Sequence, residues 1–341
     1  MRAYLAYTPF HLLLSLALQH RDGSPEAVLL FADEAKILPQ LPPLGDVLRR
    51  EFELTTLPRV TGRLRALGPI RSRKATRSTL AAVKGIPDLD VLFVLNGQNR
   101  PALSIGTHFQ DAFEFSYVED GLDAYLPVNF RTVGPFHRRA HVLAFGWNHP
   151  HLIDMTEALP FSSWNVLFPE VTRLRVDTAL IDAIPADCLR WATTRLETAL
   201  APLSINHPVT HLYLLGIQED RRGSDSALFA LRTWIDTVMH DEPKATLAVK
   251  PHPRETNRRL LDAVGSIGGV QVLPPWLPAE MLTSYLAADV TIRCDLTTFA
   301  MTSRILLPGR SVELEPTVAV DASAMLHRWD PTITQIGSPG S

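Results

Sequence analysis

Ala245-Thr246-Leu247-Ala248-Val249-Lys250-Pro251-His252-Pro253 is the stretch on which the reading of this chain turns. The apolar run over 245–249 predicts a buried strand. Lys250-Pro251-His252-Pro253 predicts the loop that leaves it and opens the polar run Arg254-Glu255-Thr256-Asn257. Prolines on both sides of His252 fix the backbone φ, so its imidazole is presented at a strand's carboxyl end with little conformational entropy left to lose. A proline-stiffened turn with a solvated lysine and histidine accounts for the same residues.

The pattern around this stretch repeats. His211-Leu212-Tyr213-Leu214-Leu215 predicts a strand that ends in Gly216-Ile217-Gln218-Glu219-Asp220, and a helix is expected from Ser224 to His240. Short strands at Val270–Val272 and Ala288–Arg293 follow, with a helix expected over Ala279–Ala287 behind Pro278. Leu296-Thr297-Thr298-Phe299 leads into a last helix toward Leu307. The first half has the same grammar. Arg2–Tyr7 reads as a buried strand, Thr8-Pro9 as a turn, and Phe10–Gln19 as a helix. Ala27–Phe31 and Asp90–Leu95 read as strands, the latter closed by Asn96-Gly97-Gln98-Asn99. Phe113–Val118 delivers Glu119-Asp120-Gly121 at a strand end, and Gly121 permits a sharp exit. Strands alternating with helices predict an α/β fold of parallel sheets covered on both faces. A helix from about Ala186 to Leu200 and the proline-bearing stretch Ala201–Pro208 divide it into domains 1–205 and 206–341.

Composition narrows the function classes. With 341 residues and 46% hydrophobic content the chain can bury two moderate cores. A net charge of -3 gives no case for nucleic acid as a partner. Two distant cysteines, Cys188 and Cys294, make neither a disulfide framework nor a metal set, which fits a reducing cytoplasm. The apolar run Leu12–Leu18 imitates a signal peptide, but Thr8-Pro9-Phe10-His11 interrupts it, and a soluble protein is expected. Between Glu53 and Asp88 every charge is basic, from Arg59 to Lys84. That segment is either a solvated face or a dock for an anionic acceptor or lipid headgroups.

In a doubly wound second domain, Gln218, Lys250, His252, Glu280, Thr297 and Thr298 all stand at or beyond strand carboxyl ends, the edge where such folds take ligands. Thr297 and Thr298 at a helix start suit a phosphate by dipole and unsatisfied N–H groups; an ordinary threonine N-cap suits them equally. Glu280 can accept from ribose hydroxyls or simply favour the first turn of its helix.

In their order, these motifs resemble those of the bacterial sialyltransferases of the lipooligosaccharide and polysialic acid type. The matching residues are Glu119-Asp120-Gly121, Lys250-x-His252-Pro253, Glu280, and the hydroxyl pair Thr297-Thr298, with threonines where serines are common. The opening Tyr7-Thr8-Pro9-Phe10-His11-Leu12-Leu13 and the strand end Leu215-Gly216-Ile217-Gln218 are similar as well. The resemblance implies the GT-B arrangement, two Rossmann-like domains facing across a cleft. It implies a CMP-activated nonulosonic acid as donor, a glycan or glycolipid acceptor, inversion at the anomeric carbon and no required cofactor or metal. Carried over, Glu119 is the general base with Asp120 beside it, and His252 stabilises or protonates the departing phosphate. Lys250 faces the cytosine, Glu280 the ribose, and Thr297 with Thr298 the phosphate oxygens, while Gln218 adds to the nucleotide site. Asn96 and His11 are candidates for donor sugar or acceptor. No His/Cys cluster of ligand type argues for a metal. A CDP-polyol phosphotransferase, a hexosyltransferase, or a catalytically silent nucleotide-binding protein on the same fold remain alternatives.

Overall fold

The structure is a computed structural model of the 341-residue chain. It describes residues 1–24, 26–32, 37–57, 68–95, 100–109, 111–119, 121–125, 131–132, 152–153, 160–174, 176–200, 204–205, 208–216, 221–252, 255, 257–295, 297–315, 318 and 320–336. The chain forms two compact units, Met1–Ala192 and Thr193–Ser341.

The first unit is built on β1 (Arg2–Ala6), β2 (Ala27–Phe31), β3 (Glu53–Thr56), β4 (Val91–Leu95), β5 (Glu114–Val118), β8 (Phe161–Val166) and β9 (Ile181–Ala183). Their order is β3-β2-β1-β4-β5-β8-β9, and every pairing is parallel. A separate antiparallel pair joins β6 (Arg131–Thr132) to β7 (Leu152–Ile153). The central strands read as unbroken apolar runs because both of their faces are covered; all five residues of β2 are buried. The helix Pro9–Asp22 starts where Thr8 Oγ1 accepts the His11 N–H at 3.2 Å, with Pro9 in its first turn. It stops at Gly23, whose φ of 59° lets its N–H close on Gln19 and His20. Arg21 and Asp22 at its end tie it to the sheet. Arg2 Nη1 and Arg21 Nε each reach Asp22 at 2.7 Å, and Arg21 Nη1 donates to buried Asn165 on β8 at 2.7 Å.

The second unit carries β10 (Val209–Leu215), β11 (Leu247–Pro251), β12 (Val270–Val272), β13 (Leu286–Cys294), β14 (Ser311–Leu314) and β15 (Ile333–Gln335). They lie in the order β12-β11-β10-β13-β14-β15, again all parallel. Both sheets follow the doubly wound Rossmann order, so the α/β class with two such domains is the one observed. The order reverses between β1 and β4 in one unit and between β10 and β13 in the other, which are the ligand-binding points of this architecture.

Three sequence expectations shift. The strand expected over Ala245–Val249 begins two residues later, because the Ala245 N–H is bound to Glu242 and the Thr246 carbonyl takes the Thr210 and His211 N–H groups. It runs on through Lys250 and Pro251, which therefore belong to the sheet and not to a loop. The helix expected over Ala279–Ala287 is a 3₁₀ stretch, Ala279–Tyr285, tightened by the Met281 N–H bond to the Pro278 carbonyl. Strand β13 takes over at Leu286, two residues earlier than expected.

A buried ion pair closes the far side of the second sheet. Arg310 donates to Asp330 and, through Nε, to Ser303 at 3.1 Å, while Thr332 gives Asp330 Oδ1 both its N–H and its hydroxyl. Burial pushes the Asp330 carboxyl up, but Thr332 and Arg310 outweigh it and hold the group below the usual range. Removing one partner leaves an uncompensated buried charge, so Arg310→Ala should lower stability by about 3–5 kcal/mol in urea unfolding. A carboxyl depressed on folding stabilises above its unfolded value near pH 4 and loses that contribution as pH falls through the folded one. Acid unfolding of Arg310→Ala should therefore depend less steeply on pH.

Candidate active site

Register decides which side chains of the second unit meet. Leu214 on β10 is paired with Lys250 on one side and Cys294 on the other, so these three share a face of the sheet. Lys250 is buried, and its Nζ donates to the Pro251 carbonyl at 3.0 Å and the Pro275 carbonyl at 3.2 Å. Burial pushes this amine down to about 8, against the opposing pull of the Glu280 charge. Glu280 is buried too, and burial raises its carboxyl while its own N–H, Thr302 and Lys250 draw it back. Thr302 lies in the helix Thr298–Leu306. Its hydroxyl donates to Glu280 Oε1 at 3.2 Å and stands 3.3 Å from the Thr298 carbonyl. Thr302 thus joins Glu280 to the helix start by hydrogen bonds, and Lys250 acts on Glu280 through its charge.

Thr297 is the N-cap of that helix, with Oγ1 accepting the Ala300 N–H at 3.3 Å, and it also bonds the Cys294 thiol. Burial pushes that thiol up to about 12, which leaves it protonated and no nucleophile. His252 follows β11 and is half-buried. Its carbonyl receives the Glu255 N–H at 2.9 Å, and Glu255 Oε1 in turn receives the Asn257 N–H at 2.7 Å. Asn257 caps the next helix, Arg258–Gly265. These bonds tie His252, Glu255 and Asn257 to one another beyond the strand end.

Sequence reasoning missed Asp295. It stands just past β13, across the switch point from Gly216 at the end of β10, and a Cβ on Gly216 would come within 2.3 Å of its Oδ2. A glycine directly after an apolar strand was the available signal. Also missed was the opposite face, where Tyr213 and Arg293 both bond Glu315, at 2.6 and 2.8 Å, beneath Trp234.

In the first unit Glu119 extends β5 and has no exposed surface. Its Oε2 accepts the Tyr125 hydroxyl and the Leu167 N–H, the latter at 2.6 Å. Gly121, with φ of 71°, makes the turn that brings Tyr125 back. His11 is buried at the carboxyl end of β1, and its Nδ1 accepts the Tyr7 N–H at 3.1 Å, which places the ring proton on Nε2. Asp120, Gln218 and Asn96 lie outside the described residues, as do Pro253 and Leu296. Of the basic segment, Arg77 and Lys84 are exposed on the helix Gly68–Lys84, and Arg59, Arg63 and Arg65 lie outside the described residues.

The expectation of no metal overlooks one Asp-x-Asp triplet, Asp88-Leu89-Asp90. It sits at the amino end of β4, where the Met1 ammonium donates to the Asp88 carbonyl and the Asp90 carboxylate, on the edge opposite the carboxyl ends. Among the described residues, no group of three or more His, Cys, Asp or Glu could hold a metal ion, and no helix is long and apolar enough to cross a membrane.

No protein-family profile and no curated protein matches this chain. Among solved structures it is similar to the alpha/beta-galactoside alpha-2,3-sialyltransferase of the luminous marine bacterium Photobacterium phosphoreum. The identity is 10% and the TM-score 0.53, over 98% of this chain and 97% of that one. It is also similar to a UDP-GlcNAc 2-epimerase of Methanocaldococcus jannaschii, solved with UDP-GlcNAc and UDP, at 11% identity and TM-score 0.56, over 99% and 89%. A third likeness is to the wall teichoic acid polymerase TagF, solved with CDPG, at 8% identity and TM-score 0.50, over 94% and 71%. At such identities the likeness establishes the fold, a two-domain α/β architecture of the GT-B type.

The unfolded chain keeps the Lys250 amine protonated up to its ordinary 10.5, whereas the folded one releases the proton near 8, so the unfolded state binds more protons between these values. Stability should accordingly rise with pH from about 8 to about 10 in urea unfolding, and Lys250→Met should lose that rise. Gly309→Ala should cost about 1–3 kcal/mol, because its Cβ meets the Ala288 carbonyl at 2.7 Å and backbone cannot give way. Gly216→Ala displaces only the Asp295 carboxylate and should cost less than about 1 kcal/mol in the same assay.

Proposed function

We propose that this protein is an inverting glycosyltransferase that moves sialic acid, or a related nonulosonic acid, from a CMP-activated donor to a hydroxyl of a glycan or glycolipid acceptor. The observation that carries the reading is the hydrogen-bonded chain Glu280–Thr302–Thr298 at a helix start capped by Thr297, with the buried Lys250 acting on Glu280 by charge and His252 following Lys250 at the carboxyl edge of a doubly wound sheet. The order of motifs in the sequence supports the donor class. So does the likeness to a protein described as a sialyltransferase, alongside others solved with nucleotides.

In this scheme the acceptor oxygen attacks the anomeric carbon, the bond from that carbon to the phosphate oxygen breaks, and CMP departs. Glu119 takes the acceptor proton, with Asp120 next to it. The carboxylate is enclosed, so the acceptor must displace what covers it. His252 and the hydroxyls of Thr297 and Thr298 neutralise charge growing on the leaving phosphate, aided by the helix dipole. Lys250 faces the cytosine, Glu280 the ribose, and Gln218 adds to the nucleotide site. Asn96 and His11 contact donor sugar or acceptor. No metal enters the scheme. The exposed Arg77 and Lys84, with the rest of the basic segment Arg59–Lys84, suit a cytoplasmic protein that meets an anionic glycan or membrane surface peripherally.

The likeness to TagF, solved with CDPG, favours a second reading, a CDP-polyol phosphotransferase. In thermal unfolding with CMP, CDP or UDP, saturating CMP should raise the midpoint by about 5 °C or more. Both reactions release CMP, so turnover separates the two, with CMP released from CMP-N-acetylneuraminic acid and none from a CDP-polyol. A shift with UDP alone would remove the cytidine donor. Glu119→Gln should cut transfer by about 10²–10⁴ while leaving the CMP shift intact; undiminished transfer would mean that another group is the base.

A further inference from the structure

The scheme leaves unused the groups that hold Glu119. The Tyr125 hydroxyl accepts the Leu167 N–H at 3.1 Å and the Phe168 N–H at 3.2 Å, and it donates to Glu119 Oε2, where the Leu167 N–H also arrives at 2.6 Å. Both side chains are at most 1% exposed. With N–H groups on its oxygen, the phenol can point its own hydrogen only at the carboxylate. Phe168 holds the ring edge-on, with centroids 5.7 Å apart. Burial and the adjacent Glu119 charge push the phenol well above its ordinary value, so it stays a donor throughout the range in which the protein works.

We propose that Tyr125 is the positioning residue of Glu119: its hydroxyl fixes the rotation of the carboxylate and favours the ionised form, which an enclosed carboxyl would otherwise give up. The inference rests on the reading of Glu119 as the proton acceptor. Burial alone favours the neutral acid, which cannot take a proton, and hydrogen bonds donated to the anion oppose that tendency.

The neighbouring strands β4 (Val91–Leu95) and β8 (Phe161–Val166) carry no titratable side chain. The segment after Leu167 and Phe168 carries Glu170 and Arg173, both exposed, and Asp120 lies outside the described residues. Tyr125 bonds the carboxylate directly through its hydroxyl.

Infrared difference spectra of the full chain, followed against pH, report the protonated carboxyl band of Glu119, identified by its loss in Glu119→Gln. Tyr125→Phe removes a donor to the anion, so the band should persist to a pH higher by about one unit. Replacing Tyr125 site-specifically by 3-fluorotyrosine keeps the shape, guards against misfolding, and makes the hydroxyl a stronger donor, so the band should vanish at lower pH. Opposite shifts support the assignment, because a merely structural role moves neither. A band titrating at one pH in all three proteins overturns it. CMP release from CMP-N-acetylneuraminic acid is measured alongside: a loss in Glu119→Gln supports the base reading underneath, and undiminished release overturns that reading whatever the band does.

Discussion

Parallel hydrogen bonding is the constraint on which the rest of the molecule depends. Every pairing in both main sheets is parallel, so each strand must be followed by a crossover before the next can be laid down. All carboxyl ends then gather at one edge of each sheet. Thr8, Glu119 and Leu167 leave that edge in the first unit; Gly216, His252, Asp295 and Glu315 leave it in the second. Segments distant in sequence become neighbours without any special device, and polar groups collect where backbone N–H groups and helix starts already favour anions.

The second sheet assigns its two faces different work. Strand parity puts Lys250 and Cys294 on one face, against the helix Thr298–Leu306 and Glu280. It puts Tyr213 and Arg293 on the other, where Glu315 joins them beneath Trp234. Arg293, Glu315 and Tyr213 satisfy one another directly. Among the described residues, Lys250 bonds two carbonyls and feels the Glu280 carboxylate through its charge, so it is the less well compensated. That imbalance is a cost to folding, and buried ionisable groups with such a cost collect at functional sites.

Much of this was legible in the sequence, for identifiable reasons. Strands β2, β4 and β10 announce themselves as apolar runs because they are buried on both faces, and the helix read from Phe10 after a Thr8-Pro9 turn begins one residue earlier, at Pro9, with Thr8 as its N-cap. Less was legible where a residue's meaning comes from far along the chain. Short, partly exposed β3 lacks the apolar signal. Lys250 and Pro251 looked like a loop because proline discourages a strand, while their register with Leu214 and Leu215 is set by β10. The tie between Glu119 and the Leu167 N–H spans 48 residues, and Asp295 gains its neighbour at Gly216 only once β10 and β13 lie side by side.

Pro251 carries a consequence for the shape of that edge. The Leu273 N–H bonds the Val249 carbonyl at 2.8 Å, and in a parallel ladder the next rung would run from residue 251 back to the Leu273 carbonyl. A proline has no hydrogen to give, so the ladder between β11 and the chain beyond β12 lacks that rung. The Lys250 ammonium links the two chains at that point, donating to the Pro251 carbonyl on one and the Pro275 carbonyl on the other. Pro275 on the facing chain lacks an N–H as well, so neither backbone has a donor to offer here, and the lysine ammonium supplies hydrogen to carbonyls that the ladder leaves unmatched.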